Sequence, residues 1–346
     1  MKTREVKIGD RVIGNGNTIL IQSMLSVPLT DIDNAIKQSI ELENAGCEII
    51  RAAVPDEASA KLIAKLKKHI NVPLVADIHF NYRLAIMAVE NGVDKLRINP
   101  GNIGGTDKLR EVCACLKEYN IPVRIGVNAG SLEKDLLEKY SSPTKEAILE
   151  SAKRSIGLFN DFGYDNIVVS IKSSDVIETI EANELFSSTF DYPLHLGITE
   201  AGEAESGIIR SSVGIGSMLL KGIGDTIRVS LTGNPVDEVY AAKEILTACN
   251  KRAFGVRVIS CPTCGRTRTD ILPIIREIKE RTKTITKPIN VAVMGCVVNG
   301  PGEAREADLG IACTVDSGVL FRGGEQIKKV KKEEFISTLL EEIDNF

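Results

Sequence analysis

The run Pro73-Leu-Val-Ala-Asp77, a helix-period stretch over residues 83–90, and a second run, Lys95-Leu-Arg-Ile98, set the unit from which the fold is read. A short apolar run bounded by turn residues reads as a buried strand, and a helical stretch between two such runs reads as a crossover joining parallel strands. Six further runs of this kind lie on either side: Thr18-Ile-Leu-Ile-Gln22, Glu48-Ile-Ile-Arg51, Pro122-Val-Arg-Ile-Gly126, Asn166-Ile-Val-Val-Ser170, Pro193-Leu-His-Leu-Gly197 and Thr226-Ile-Arg-Val-Ser230. Helical periodicity marks residues 32–45, 57–69, 108–117, 145–159, 176–187 and 236–249. Eight such units over about 250 residues match a TIM (β/α)8 barrel in number and length. The class is α/β, with a doubly wound open sheet as the rival arrangement.

The alternation is complete near Asn250-Lys-Arg-Ala-Phe-Gly255, which divides the chain into residues 1–252 and 253–346. The second part reads as strand (256–260), helix (270–283), strand (288–293), short strands around Asp-Ser-Gly and Gly-Gly turns (308–315, 318–322, 325–330) and a charged amphipathic helix (332–345), a small α+β domain. The longest interval in the barrel part, residues 129–165, carries Ser131-Leu-Glu-Lys-Asp-Leu-Leu-Glu-Lys139, which reads as a lid or as an extra solvated helix.

Composition narrows the function. With 43% hydrophobic and 26% charged residues the chain is of the soluble globular kind, and no run approaches the roughly 20 apolar residues of a membrane span. A net charge of -4, no tryptophan and 4% aromatics exclude a general nucleic-acid surface. The opening Met1-Lys-Thr-Arg-Glu-Val-Lys-Ile lacks the apolar core of a signal peptide, so a reducing cytoplasm, free thiols and no disulfides are expected.

Eight cysteines are present. Cys261-Pro-Thr-Cys264-Gly-Arg-Thr267 is answered by Gly295-Cys296-Val-Val-Asn299-Gly-Pro-Gly-Glu303, so three thiols and a carboxylate converge on a possible metal centre. A structural zinc site closes with a fourth Cys or His in a second pair, and none follows. Three thiolates with a non-thiolate fourth ligand suit a catalytic iron-sulfur cluster, one iron of which must exchange its ligand. Cys313, in an apolar strand-like run, and Cys47, Cys113, Cys115 and Cys249 read as packing residues.

Charge gathers where the strands end. Arg51, Asp77, His79, Arg97, Asn99, Arg124, Asn128, Lys172, Glu200 and Arg228 all lie within or just after the apolar runs, the face on which barrels carry their active sites. Each alone has a plain reading: Arg228 could close a buried ion pair, and His195 in Leu-His-Leu could be a hydrogen-bonded core residue. Five cations on five strands exceed what Asp77 and Glu200 can neutralise, which implies an anionic ligand with more than one phosphate. The Asn99-Pro-Gly-Asn-Ile-Gly-Gly105 loop before a helix adds a weak anion-binding signal, since such loops also serve as ordinary turns.

Seven stretches resemble the 4-hydroxy-3-methylbut-2-en-1-yl diphosphate synthase family of the methylerythritol phosphate route to isoprenoids, in its short two-domain form. They are Ile21-Gln-Ser-Met24, Val75-Ala-Asp-Ile-His-Phe80, Arg97-Ile-Asn-Pro-Gly-Asn-Ile-Gly104, Arg124-Ile-Gly-Val-Asn-Ala-Gly130, His195-Leu-Gly-Ile-Thr-Glu-Ala-Gly202, Ser260-Cys-Pro-Thr-Cys-Gly-Arg-Thr267 and Met294-Gly-Cys-Val-Val-Asn-Gly-Pro-Gly-Glu-Ala304.

The resemblance implies a barrel that binds 2-C-methyl-D-erythritol 2,4-cyclodiphosphate and a 4Fe-4S cluster on a sulfite-reductase-like domain. Cys261, Cys264 and Cys296 would be its thiolate ligands and Glu303 the exchangeable fourth. Arg51, Arg97, Arg124 and Lys172 would hold the diphosphate, with Asp77, His79, Asn99, Asn128, His195, Thr199 and Ser230 around it. Glu200 would be the acid/base residue and Asn299 a hydrogen-bonding group beside the cluster. Reductive ring opening with loss of water needs single electrons, which ferredoxin or flavodoxin would deliver. A homodimer in which the cluster domain of one chain caps the barrel of the other is the expected assembly.

Overall fold

The computed structural model describes residues 2–298 and 300–346, the side chains of Pro301, Glu303 and Ala304 excepted. The chain falls into two compact units, Met1–Arg252 and Ala253–Phe346.

The first unit begins with a hairpin, β1 (Val6–Ile8) and β2 (Arg11–Ile13), paired antiparallel about Gly9. Eight parallel strands follow: β3 (Leu20–Met24), β4 (Ile49–Ala53), β5 (Leu74–Asp77), β6 (Lys95–Ile98), β7 (Val123–Asn128), β8 (Ile167–Lys172), β9 (His195–Leu196) and β10 (Thr226–Ile227). Their order is β8-β7-β6-β5-β4-β3-β10-β9. The ring closes between β8 and the residues leading into β9, where Val169 bridges Leu194 and its N–H donates to the Pro193 carbonyl at 2.9 Å. This is a TIM barrel, not the open doubly wound sheet.

The helices between the strands are α1 (Ile32–Asn44), α2 (Glu57–Lys67), α3 (Tyr82–Glu90), α4 (Thr106–Tyr119), α5 (Lys134–Tyr140), α6 (Lys145–Asp161), α7 (Val176–Thr189), α8 (Ala204–Leu220) and α9 (Pro235–Ala248). Several start on the expected caps: Asp56, Asn81, Thr144, Asp175 and Asn234 each accept a first-turn N–H. The stretch after Ser131 is the extra helix α5, of which only Leu136 is buried.

Two elements escape the sequence pattern. The hairpin strands are three residues each, and Val6, Ile8 and Ile13 pack with Leu20, Ile49, Val75 and Val168 into a cluster that floors the barrel interior. Helix α8 contains Gly207, Gly214 and Gly216, which weaken any helical reading. Packing explains Gly214: a Cβ there would lie 2.5 Å from Ile198 Cδ1.

The second unit is a five-stranded sheet in sequence order: β11 (Val256–Ser260), β12 (Ile289–Met294), β13 (Leu309–Cys313), β14 (Ser317–Arg322) and β15 (Glu325–Lys331). The first three strands are parallel and the last two antiparallel. Ile274 and Ile278 of α10 (Leu272–Arg281) and Phe335, Leu339 and Ile343 of α12 (Phe335–Asp344) cover one face of the sheet, joining Val291, Val293, Ile311 and Cys313 in one core. A short helix, α11 (Gly300–Arg305), takes in the end of the second cysteine stretch. No helix among the described residues is long and apolar enough to cross a membrane.

Candidate active site

Parallel register sets the barrel mouth. Asp77 is the register partner of Arg97, and Arg97 that of Arg124, so a carboxylate and two guanidiniums stand abreast on β5, β6 and β7. Asn128 is the partner of Lys172 at the ends of β7 and β8. Asp77 is 1% exposed and pairs with two cations: Arg51 Nη2 contacts one carboxylate oxygen, and Arg97 Nη1 the other at 3.2 Å. His79 Nε2 lies 3.7 Å from the same carboxylate and is half exposed. Burial pushes the Asp77 carboxyl up, but Arg51 and Arg97 overcome that and hold it below its ordinary value. Burial also lowers Arg51 to about 10.

Arg228 is matched by a residue the strand ends do not reveal. Glu238, on the first turns of α9 and 3% exposed, meets Arg228 in a two-point pair and also accepts from Ser23 Oγ at 2.9 Å and the Leu231 N–H at 3.1 Å. An acidic residue on a buried face of a helix was the available signal. The ion-pair reading of Arg228 is therefore the correct one.

Arg124 and Lys172 differ. Arg124 is 1% and Lys172 9% exposed, and neither forms an ion pair among the described residues. Nε and Nη1 of Arg124 have no hydrogen-bond partner. Burial and the neighbouring cations push both side chains well below their ordinary basicity. Two glycines make room for the cations: a Cβ on Gly126 would lie 2.8 Å from Arg97 Nη2, and one on Gly197 would lie 2.5 Å from Lys172 Nζ and 2.6 Å from the Arg228 carbonyl. A cluster of desolvated cations with donors to spare is what a multiply charged anion requires.

The remaining residues are less uniform. His195 is fully buried, held neutral by burial and by Arg124 and Lys172, and bonded through Nδ1 to Thr226 Oγ1 at 2.8 Å, while its Nε2 is unpartnered. Asn99 spends its side-chain oxygen on the Gly101 N–H at 3.1 Å. Asn128, Thr199 and Ser230 are half-buried, and Glu200 is exposed on left-handed backbone, φ 53°. That conformation is uncommon for a non-glycine residue.

In the second unit, β11 and β12 run parallel with Ser260 opposite Val293, so Cys261 and the Gly295-Cys296 turn emerge side by side. The Gly295 N–H donates to Cys261 Sγ at 3.3 Å. A Cβ at Gly295 would lie 2.8 Å from the Thr267 methyl, so the two stretches interlock only around glycine. The Arg268 N–H bonds the Gly295 carbonyl at 2.8 Å. Cys264 is exposed, and hydrogen bonds from the Arg266 backbone and side chain lower its thiol below the ordinary value. Burial pushes Cys47, Cys113 and Cys313 up to about 12 and Cys115 up to about 11, in keeping with packing roles. No three acidic, Cys or His side chains are gathered as a metal site among the described residues. Asn299 and the side chain of Glu303 lie outside them. The donor chemistry, soft thiols at the ends of adjacent strands with a backbone donor on one sulfur, fits an iron-sulfur group.

Residues 3–243 match the family model described as GcpE TIM-barrel domain, and residues 257–345 that described as GcpE protein C-terminal domain. Proteins named 4-hydroxy-3-methylbut-2-en-1-yl diphosphate synthase (flavodoxin) are similar over nearly the full length. The one from Caldanaerobacter subterraneus is 56% identical, covering 99% of this chain and 96% of its own. The one from Clostridium tetani is 51% identical, covering 99% of each. Among solved structures, dihydropteroate synthase from Stenotrophomonas maltophilia superposes with a TM-score of 0.53 at 13% identity, over 72% of this chain and 98% of that one, a likeness of fold alone. With both of its units matched and its relatives aligned almost end to end, the chain belongs to the GcpE family.

Proposed function

We propose that the barrel mouth binds 2-C-methyl-D-erythritol 2,4-cyclodiphosphate and that the chain reduces it to 4-hydroxy-3-methylbut-2-en-1-yl diphosphate, a step of isoprenoid biosynthesis by the methylerythritol phosphate route. The observation that carries the site assignment is the pair Arg124 and Lys172, buried cations without a carboxylate among the described residues. Two electrons and one proton enter and one water leaves as the cyclic dianion becomes an open trianion. The added negative charge appears on the diphosphate when the ring C–O bond breaks, which is where preorganised guanidinium and ammonium groups lower the barrier. Asp77 orients Arg51 and Arg97 for this task, while Gly126 and Gly197 leave space for the cation side chains. Glu200 supplies the proton to the departing hydroxyl. His195, neutral and tied to Thr226, is a buried positioning group rather than the acid.

Cys261, Cys264 and Cys296, with Glu303, would hold a 4Fe-4S cluster, which when bound supplies electrons one at a time. The names of the relatives support flavodoxin as the donor. A cytoplasmic homodimer, with the cluster unit of one chain serving the barrel of the other, completes the proposal; analytical ultracentrifugation and mixed dimers of barrel and cysteine variants check it.

The deciding experiment is an anaerobic assay of the cyclic diphosphate with a chemical reductant, alongside metal analysis. A brown protein with about four irons per chain that releases the open diphosphate is expected. A colourless zinc-loaded chain that leaves the cyclic compound intact would overturn the reading.

A further inference from the structure

One cation of the barrel has no part in the site described so far. Lys95 opens β6, two residues before Arg97 and on the same face of the strand. Its register partner is Val75, a member of the apolar floor cluster. The side chain is therefore enclosed between an apolar floor and the cations of the mouth; it is 0% exposed, and its Nζ has no hydrogen-bond partner.

The charged and titratable groups that interact with it are Arg51 on β4, Arg124 on β7 and His195 on β9, with Arg97 two residues on along β6; the buried carboxylates of the barrel are Asp77 and Glu238. The two carboxylates are already engaged, Asp77 with Arg51 and Arg97, Glu238 with Arg228. An ammonium at Lys95 would add a further uncompensated cation to Arg124 and Lys172 in a dry interior. Arginine keeps its proton under such conditions, whereas a wholly enclosed lysine such as Lys95 gives its up; Lys172, by contrast, retains 9% exposure at the mouth where the anion binds.

We infer that Lys95 stands as a neutral amine in the free protein and takes up a proton from solvent when a diphosphate dianion enters the mouth. The ligand brings the negative charge that Arg124 and Lys172 lack, and the amine beneath them then becomes an ammonium. Burial first, then Arg124 and Arg51, already favour the neutral form in the free protein. Lys95 is thus a positioning residue whose charge appears only in the complex. The inference rests on the proposed diphosphate reading of the mouth.

Calorimetry of the cluster-loaded, oxidised protein with the cyclic diphosphate, in buffers of different ionisation enthalpy, measures it. Each phosphorus of that ligand carries one strongly acidic hydroxyl, so the ligand takes up no proton near neutrality. Wild type should bind with net proton uptake, and Lys95→Met should bind with about one proton fewer. Affinity of wild type should fall more steeply with rising pH than that of the variant, by up to tenfold per unit. The variant should also melt higher, having lost an unpartnered buried amine.

Absence of proton uptake by wild type, an unchanged count in Lys95→Met, or a lower melting point for the variant would each overturn the inference. No binding of the cyclic diphosphate at all would instead remove the reading on which it stands.

Discussion

Arg228 and Glu238 meet through two hydrogen bonds of 3.2 Å, Nε to Oε2 and Nη2 to Oε1, with Glu238 almost wholly buried. The same carboxylate holds Ser23 and the Leu231 N–H, so one helix residue ties β3, α9 and the segment after β10. Glu238→Gln should destabilise the barrel by about 3 to 5 kcal/mol, the cost of leaving a buried guanidinium uncompensated. Arg228→Met should cost less, because Glu238 keeps its two other donors. Denaturant unfolding of the two variants checks the order.

Asp77 governs the acid limb of stability. Its folded-state pKa lies below the unfolded value of about 4, so its contribution is present above that value and is lost as pH falls through the lower folded one. Asp77→Asn should lower stability at neutral pH and flatten the decline between about pH 4 and 2. Thermal melts of both proteins over that range measure the difference.

The two glycines should not be equivalent. Alanine at Gly126 would press only on the far end of Arg97, which can shift. Alanine at Gly197 would meet the Arg228 carbonyl, which is backbone, as well as Lys172 Nζ. Gly197→Ala should therefore lose ligand affinity by more than about tenfold, or 1.4 kcal/mol, and Gly126→Ala by less. Binding of the cyclic diphosphate to each variant tests the ranking.

Glu200 occupies left-handed backbone. Glu200→Gly should stabilise the fold by about 1 kcal/mol while abolishing turnover, and Glu200→Gln should lose turnover without that gain. A melting curve and an anaerobic assay on each variant separate strain from chemistry.

The thiols should differ in reactivity. In cluster-free protein Cys264, exposed and lowered by Arg266, should be alkylated before Cys47, Cys113 and Cys313, whose burial suppresses the thiolate. Timed iodoacetamide labelling with peptide mass mapping reads the order.

Much of this was legible beforehand because parallel strands are buried on both faces and show as unbroken apolar runs. Arg51, Asp77, Arg97, Arg124 and Lys172 stood out as charges interrupting those runs, and the structure gathers them at one mouth. Glu238 did not stand out, since an acid in the first turn of α9 reads as ordinary helix chemistry. Lys95 opens its run and so resembles a strand boundary. Helix α8 was hidden by glycines that serve packing against Ile198 and its neighbours, a tertiary demand that local propensity cannot reveal.

The hairpin that floors the barrel also constrains the order in which the molecule can form. Thr3 donates to Asp225, 222 positions later, Arg4 N–H to the Asp191 carbonyl, and β3, paired with β4 on one edge, must wait for β10 to fill the other. During synthesis the first pieces to emerge thus have partners among the last barrel segments made. Val6, Ile8 and Ile13 stay without their full cover until β8 arrives, and the ring stays open until Thr226 and Ile227 are in place. Contacts this distant along the chain make closure a late and slow event, so a nascent barrel arrested before β10 is the species most exposed to misassociation.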